Sequence, residues 1–151
     1  MKHIVEIKTK PKFFDALGGG FKEQAVALGI KNIKSVRAGR LFLLEGDLSA
    51  VQIKKIVHEL LTDNVVEDCV LNYSPSKKTP AHKIELWLKN SATDVVGESV
   101  LEAVLDMNIK NIKDVRCGFV YYVDAKLTKS KLDFLARKIL VNPLIHKFKV
   151  A

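Results

Sequence analysis

Two cysteines, Cys69 and Cys117, are all that a chain of 151 residues contains. A disulfide framework or a zinc site needs CxxC pairs or Cys/His clusters, so both are expected as reduced thiols and no metal is expected. Long apolar runs are also missing. No stretch approaches the roughly 18 uninterrupted apolar residues of a bilayer crossing, so a membrane partner is not expected. The opening Met1-Lys2-His3-Ile4-Val5-Glu6 lacks the apolar block of a secretion signal, and a cytoplasmic location is the expectation. Blocks of one charge are absent too. The net charge is +8, but the surplus is spread as +2 over residues 1–72, +2 over 73–81 and +4 over 82–151, without the basic clusters of a nucleic-acid binder. What remains is 48 % hydrophobic and 28 % charged, the balance of a chain with a real core in one domain or two small ones.

The chain is a tandem repeat. Ile30-Lys31-Asn32-Ile33-Lys34-Ser35-Val36-Arg37-Ala38-Gly39 returns as Ile109-Lys110-Asn111-Ile112-Lys113-Asp114-Val115-Arg116-Cys117-Gly118. The same offset of 79 pairs His3 with His82, Glu6 with Glu85, Lys10 with Lys89, Asp15 with Asp94, Gly18 with Gly97, Glu23 with Glu102, Leu48 with Leu127 and Leu61 with Leu140. These boundaries predict a repeat at 1–72, a Pro/Ser/Lys-rich linker at 73–81 and a second repeat at 82–151.

Each structural expectation is tested twice by the two copies. Val5 and Ile7, like Ile84, Leu86 and Leu88, alternate with polar neighbours and predict a half-buried strand. Phe21, Ala25 and Leu28, or Val100, Val104 and Met107, follow at helical spacing. Gly29 and Asn108, the residue types that tolerate left-handed backbone, should stop that helix. Leu41-Phe42-Leu43-Leu44 and Val120-Tyr121-Tyr122-Val123 predict a long central strand covered on both faces, with a bulge or bend at Gly39 and Gly118. Ser49-Ala50-Val51-Gln52 is a capping-box pattern, opening a helix that buries Ile53, Ile56, Val57, Leu60 and Leu61; Leu132, Leu135, Ala136, Ile139 and Leu140 are the counterpart. Cys69 and Leu71, or Phe148 and Val150, end each copy in a short strand. A β-α-β-α-β unit of about 70 residues, antiparallel with both helices on one face in ferredoxin-like fashion, rarely supplies enough core alone. The two copies are therefore expected to cover each other's bare faces as a pseudo-twofold α+β molecule, a homodimer drawn with one chain.

The order of elements, the Asp-x-x-Gly before the first helix (Asp15 to Gly18, Asp94 to Gly97), the Val-Arg-x-Gly of the central strand (Val36 to Gly39, Val115 to Gly118) and the ending Ile139-Leu140-Val141-Asn142-Pro143-Leu144-Ile145 resemble PurS. That family is the small subunit of phosphoribosylformylglycinamidine synthase, the glutamine-dependent enzyme of purine biosynthesis. The resemblance implies an accessory subunit without catalytic residues or a cofactor of its own. Its expected partners are a synthetase (PurL-like) subunit and a glutaminase (PurQ-like) subunit, which it bridges for ammonia transfer; further self-association is an open expectation. Three departures stand out. Ala16 and Val95 replace a proline common after the Asp. Arg40 keeps the charge that follows the glycine in the family, but Phe119 loses it. The Asn-Pro-x-Ile-Glu ending is altered to Asp63-Asn64-Val65-Val66-Glu67 and to Asn142-Pro143-Leu144-Ile145-His146.

The candidate partner- or phosphate-binding residues are Arg37, Gly39, Arg40, Arg116 and Gly118. A guanidinium beside a strand glycine is placed to meet phosphate or carboxylate, and equally to make an internal ion pair. Arg40 is singled out because only one repeat retains it; its removal is expected to weaken partner-dependent activity and leave stability nearly unchanged. Lys31, Lys34, Lys110 and Lys113 read as solvated turns, and His3 and His82 lack the companions of a metal site. Cys117 beside Arg116 is either an activated thiol or a small buried side chain. Gly18-Gly19-Gly20 lacks the lysine and spacing of a phosphate loop. Two other classes compete with the bridging subunit: a tandem ferredoxin-like regulatory module binding a small ligand, an amino acid at the interface, and an RNA-binding sheet using Phe42, Phe119, Tyr121 and Tyr122.

Overall fold

The structure, a computed structural model, describes residues 1–75, 79 and 81–151. The first repeat comprises β1 (Lys2–Thr9), α1 (Ala16–Ala27), β2 (Ile33–Gly46), α2 (Ala50–Ile56) continued by a π-helical turn over Val57–Leu61, and β3 (Glu67–Val70). The second comprises β4 (His82–Leu88), α3 (Val95–Asp106), β5 (Ile112–Ala125), α4 (Lys129–Ile139) and β6 (His146–Val150). Part of the expected linker, residues 76–78 and 80, lies outside the described residues.

The repeats do not stack face to face. A three-stranded unit leaves one edge of its longest strand with unpaired N–H and C=O groups, and the other repeat carries the same bare edge. Joining the two satisfies both: β2 and β5 pair antiparallel from Ile33 opposite Ala125 to Gly46 opposite Ile112, giving one six-stranded sheet in the order β3-β1-β2-β5-β4-β6. Arg40 lies directly opposite Phe119. Those two are also equivalent positions of the repeats, so the pseudo-twofold axis passes between them.

The helices cover one face only. One cluster sets Ile53, Ile56, Val57 and Leu61, together with Val104 of α3, over Val5, Ile7, Phe42, Leu44, Val115 and Cys117. The other sets Phe21 and Ala25 of α1 beside Leu132, Leu135 and Ala136 of α4, over Val36, Ala38, Ile84, Tyr121, Val123 and Val150. Each cluster thus combines the first helix of one repeat with the second helix of the other. The halves share their interiors. Gly29 (φ 89°) and Asn108 (φ 64°) end α1 and α3 as their residue types imply, and Ser49 and Gln52 form the reciprocal capping box. Two of the residues expected on the apolar helix faces miss the core: Leu28, at 44 % exposure, is the cap where α1 ends, and Leu60, at 37 %, is turned outward because the wider π turn brings Leu61 to the core instead.

Gly39 and Gly118 sit in unbroken ladders, opposite Val120 and Leu41. The register shifts fall elsewhere, between Ile33 and Ser35 and between Glu45 and Gly46. The reason for each glycine is close approach. A Cβ on Gly39 would lie 2.8 Å from Glu6 Oε2, and one on Gly118 would lie 2.6 Å from the Trp87 ring.

Candidate functional site

The repeated Asp-x-x-Gly and Val-Arg-x-Gly motifs meet in a single node, built twice. Asp15 caps α1 through Oδ1, which accepts from the Gly18 N–H at 3.1 Å, while Oδ2 accepts from the Ala38 N–H at 2.7 Å. Asp94 does the same for Gly97 (2.8 Å) and Cys117 (2.7 Å). One carboxylate therefore satisfies a helix terminus and a strand N–H beyond the reach of β1 or β4. A Cβ on Gly18 would fall 2.2 Å from the Val36 carbonyl oxygen, and one on Gly97 would fall 2.3 Å from that of Val115, so glycine is what lets the helix seat on the strand. The arginines complete the node. Arg37 donates to the carbonyls of Thr9 (2.9 Å), Lys10 (3.2 Å) and Phe13 (3.4 Å), and Arg116 donates to those of Leu88 (3.4 Å) and Lys89 (2.9 Å). Their Nε atoms stand 3.8 and 3.9 Å from the Asp15 and Asp94 carboxylates. Both guanidinium groups hold the strand-to-helix crossing.

Arg40 is built differently. It points to the helix side, where Nη2 donates to both oxygens of Glu67 at 3.1 and 3.0 Å and to the Leu61 carbonyl at 3.1 Å, with the guanidinium over the Phe42 ring. Its equivalent Phe119 goes with His146, the equivalent of Glu67, so the pair is exchanged as a unit. Cross-strand neighbours lie about 5 Å apart, and two cations facing each other on the axis would repel. Having Phe119 opposite Arg40 removes that conflict. Arg40→Ala strands the Glu67 carboxylate and the Leu61 carbonyl, and is expected to cost about 1–2 kcal/mol in denaturant unfolding. The double variant Arg40→Ala/Glu67→Gln should recover part of that loss; equal melting of Arg40→Ala and the unmodified chain would return Arg40 to a purely external role.

The altered ending motif keeps its turn. Asp63 and Asn142 accept from the N–H two residues on, at Val65 and Leu144. Glu67 Oε1 and His146 Nδ1 accept from the N–H groups of Asp63 (2.8 Å) and Asn142 (2.9 Å). Accepting at Nδ1 requires the neutral ring, and burial lowers the His146 pKa accordingly.

The helix-free face holds what the motif search missed. Glu6 and Glu85, identical across the repeats, are 2 % and 9 % exposed. Tyr122 Oη donates to Glu6 at 2.8 Å; Tyr73 Oη and Trp87 Nε1 donate to Glu85, each at 2.7 Å. Burial and the facing carboxylates push both phenols well above the usual tyrosine range, so they stay protonated as donors. Lys83 crosses from β4 to the carbonyls of Ser74 and Pro75, 4.7 Å from the Tyr73 ring centroid. Burial lowers its pKa against the pull of Glu85 and Glu6. Arg37, Gly39, Arg116 and Gly118 share this face by register, whereas Arg40 is on the other. The signal for the carboxylates lay in their identity at the repeat offset, on the polar side of a strand. Cys117 is buried, and burial raises its thiol to about 11, so an activated thiolate is not what the node creates. No group of three or more potential metal ligands occurs among the described residues, and no described helix is long and apolar enough to cross a membrane.

Fold and node together define a duplicated ferredoxin-type α+β protein, in which one chain makes both halves of a twofold body. The chain belongs to the PurS family: the model for PurS, phosphoribosylformylglycinamidine (FGAM) synthase, matches residues 2–75 and again residues 81–151. Membership assigns it to FGAM synthase and to purine biosynthesis. Among solved structures it is similar to PurS of B. subtilis in a C2 crystal form, at 23 % identity and TM-score 0.42, covering 46 % of this chain and 91 % of that one. Curated proteins yield no match.

Proposed function

We propose that this chain is the non-catalytic bridging subunit of an FGAM synthase complex. It joins a glutaminase (PurQ-like) subunit to a synthetase (PurL-like) subunit, so that ammonia from glutamine reaches the activated amide of formylglycinamide ribonucleotide. The observation that carries this reading is the double family match on a single twofold body: one chain replaces a pair of small subunits. Its two ends support it. Where α1 begins beside the turn to β3, Phe14 (83 %) and Val65 (73 %) are bare; at the equivalent place in the second repeat, Val95 (67 %) and Leu144 (81 %) are. Val65 and Leu144 are equivalent positions, whereas Phe14 and Val95 answer to Thr93 and Ala16; exposed apolar side chains at both ends are surfaces for protein partners, and they differ enough between the ends to suit two of them. Arg37 and Arg116 add positive charge beside each end, since neither guanidinium is fully covered.

Reconstitution tests this directly. The purified chain alone turns over nothing. Added to the matching synthetase and glutaminase subunits, it raises glutamine-dependent FGAM synthesis at least tenfold over the mixture lacking it, while ammonia-dependent synthesis changes less. Equal glutamine-dependent rates with and without the chain would exclude a bridging role.

A further inference from the structure

On the helix-free face, a cleft of about 680 Å³ opens between β1, β2 and β5 and the chain leading into β4. Pockets for drug-sized ligands run about 300–1,000 Å³, so this one is large for a single amino acid and suited to a bigger polar molecule. Three kinds of group face it. Lys8 and Arg37 bring positive charge: Lys8 lies opposite Gly39, two residues along β2 from Arg37, which makes the two side chains diagonal neighbours on one face. Arg37 is held by its three carbonyl acceptors yet is 39 % exposed, and Lys8 makes no ion pair with any described residue.

Tyr122 brings an aromatic ring, directly opposite Arg37 in the ladder and fixed through its hydroxyl to Glu6. Glu6, Asp124 and Asp68 bring acceptors, Asp68 lying directly opposite Lys8 in the ladder. Glu6 is almost wholly buried, one oxygen is taken by Tyr122, and the other has no donor among the described residues. Among the described residues the buried orphaned side-chain atoms are His3 Nε2 and Thr62 Oγ1, so this oxygen is open to the cleft, where it can accept an N–H or O–H. Asp124, two residues along β5 from Tyr122, is exposed at the rim and unpaired among the described residues.

An anion between two cations, a planar ring on a tyrosine face, and hydroxyl or amine hydrogens for carboxylates are the separate demands of phosphate, base and ribose. We propose that this cleft is a mononucleotide-binding site, with the phosphate at Lys8 and Arg37, the base against Tyr122, and Glu6 and Asp124 accepting from the ribose or base. The proposal depends only on the geometry of the chain itself, not on its bridging role.

Calorimetric titration of the intact chain with AMP, GMP, adenosine, ribose 5-phosphate and inorganic phosphate tests it. A nucleoside monophosphate is expected to bind at least tenfold more tightly than ribose 5-phosphate or the nucleoside, because phosphate and base each contribute. Lys8→Ala, at an exposed position, should weaken the nucleotide about tenfold and leave adenosine and the melting temperature unchanged. Asp124→Asn should weaken nucleotide and nucleoside alike. No heat with either nucleotide at millimolar concentration overturns the assignment, as does phosphate binding as well as AMP, which reduces the cleft to an anion site. Tighter binding of a short oligoribonucleotide than of AMP overturns it in favour of RNA. All of these are read without partner subunits, so this site and the bridging role stand or fall separately.

Discussion

Asp94→Ala is expected to lower the free energy of unfolding by about 3–5 kcal/mol, because two buried N–H groups, those of Gly97 and Cys117, lose their acceptor at once. An unsatisfied buried donor costs about 1–3 kcal/mol, and loss of a helix cap contributes about 1 kcal/mol that partly overlaps with it. Domains of this kind are stable by only about 5–15 kcal/mol, so the variant retains a fraction of the original margin. Asp94→Asn should recover part of the loss: one carbonyl oxygen still accepts, while the amide group faces the other N–H. Asp15→Ala should behave like Asp94→Ala, since the Gly18 and Ala38 N–H groups depend on it in the same way. Urea titration followed by circular dichroism reads all three variants. A loss below 1 kcal/mol for Asp94→Ala would mean that the node is hydrated and that the motif is kept for another purpose.

Separating the repeats should have a larger effect. A chain of residues 1–75 is expected not to persist as a folded monomer. It exposes the whole free edge of β2, and it leaves each cluster with half its helices, α2 without α3 and α1 without α4. Light scattering should find dimers or aggregates. In a dimer, Arg40 would face Arg40 across the axis, so Arg40→Phe in the same fragment should tighten association, despite leaving Glu67 unpaired, if repulsion at the axis dominates. Co-expressing residues 1–75 with residues 81–151 should restore a discrete complex. A cooperative thermal transition from monomeric 1–75 would show that the shared interiors are not needed for folding.

Much of this was legible in the residues. The alternation of Val5 and Ile7, the helical spacing of Phe21 and Ala25, and the stops at Gly29 and Asn108 are local, and local preference and final structure agree there. The docking of the halves was not legible, because alternation says which face of a strand is apolar and is silent on which edge finds a partner. A glycine inside a strand signals either a bulge or a close neighbour. At Gly39 and Gly118 it is the neighbour, Glu6 or Trp87, supplied by an adjacent strand far away in sequence. Glu6 and Glu85 read as solvent-facing for the same reason: their cover comes from Tyr122, Tyr73 and Trp87, and the Tyr122 contact spans 116 positions of sequence. Of the candidate residues, Arg37 and Arg116 sit in the node, Gly39 and Gly118 make room on the helix-free face, and Arg40 belongs to an ion pair on the other side.

The meeting of Arg40 with Phe119 has a consequence for how such a molecule can change. Two identical subunits must carry every substitution in duplicate, so a residue favourable at one end is imposed on the other. Covalent continuity lifts that constraint. A mutation now lands once, and the molecule acquires a front and a back: the bare side chain at Val65 can change without its equivalent Leu144 following, and the two unlike halves stay together at any dilution.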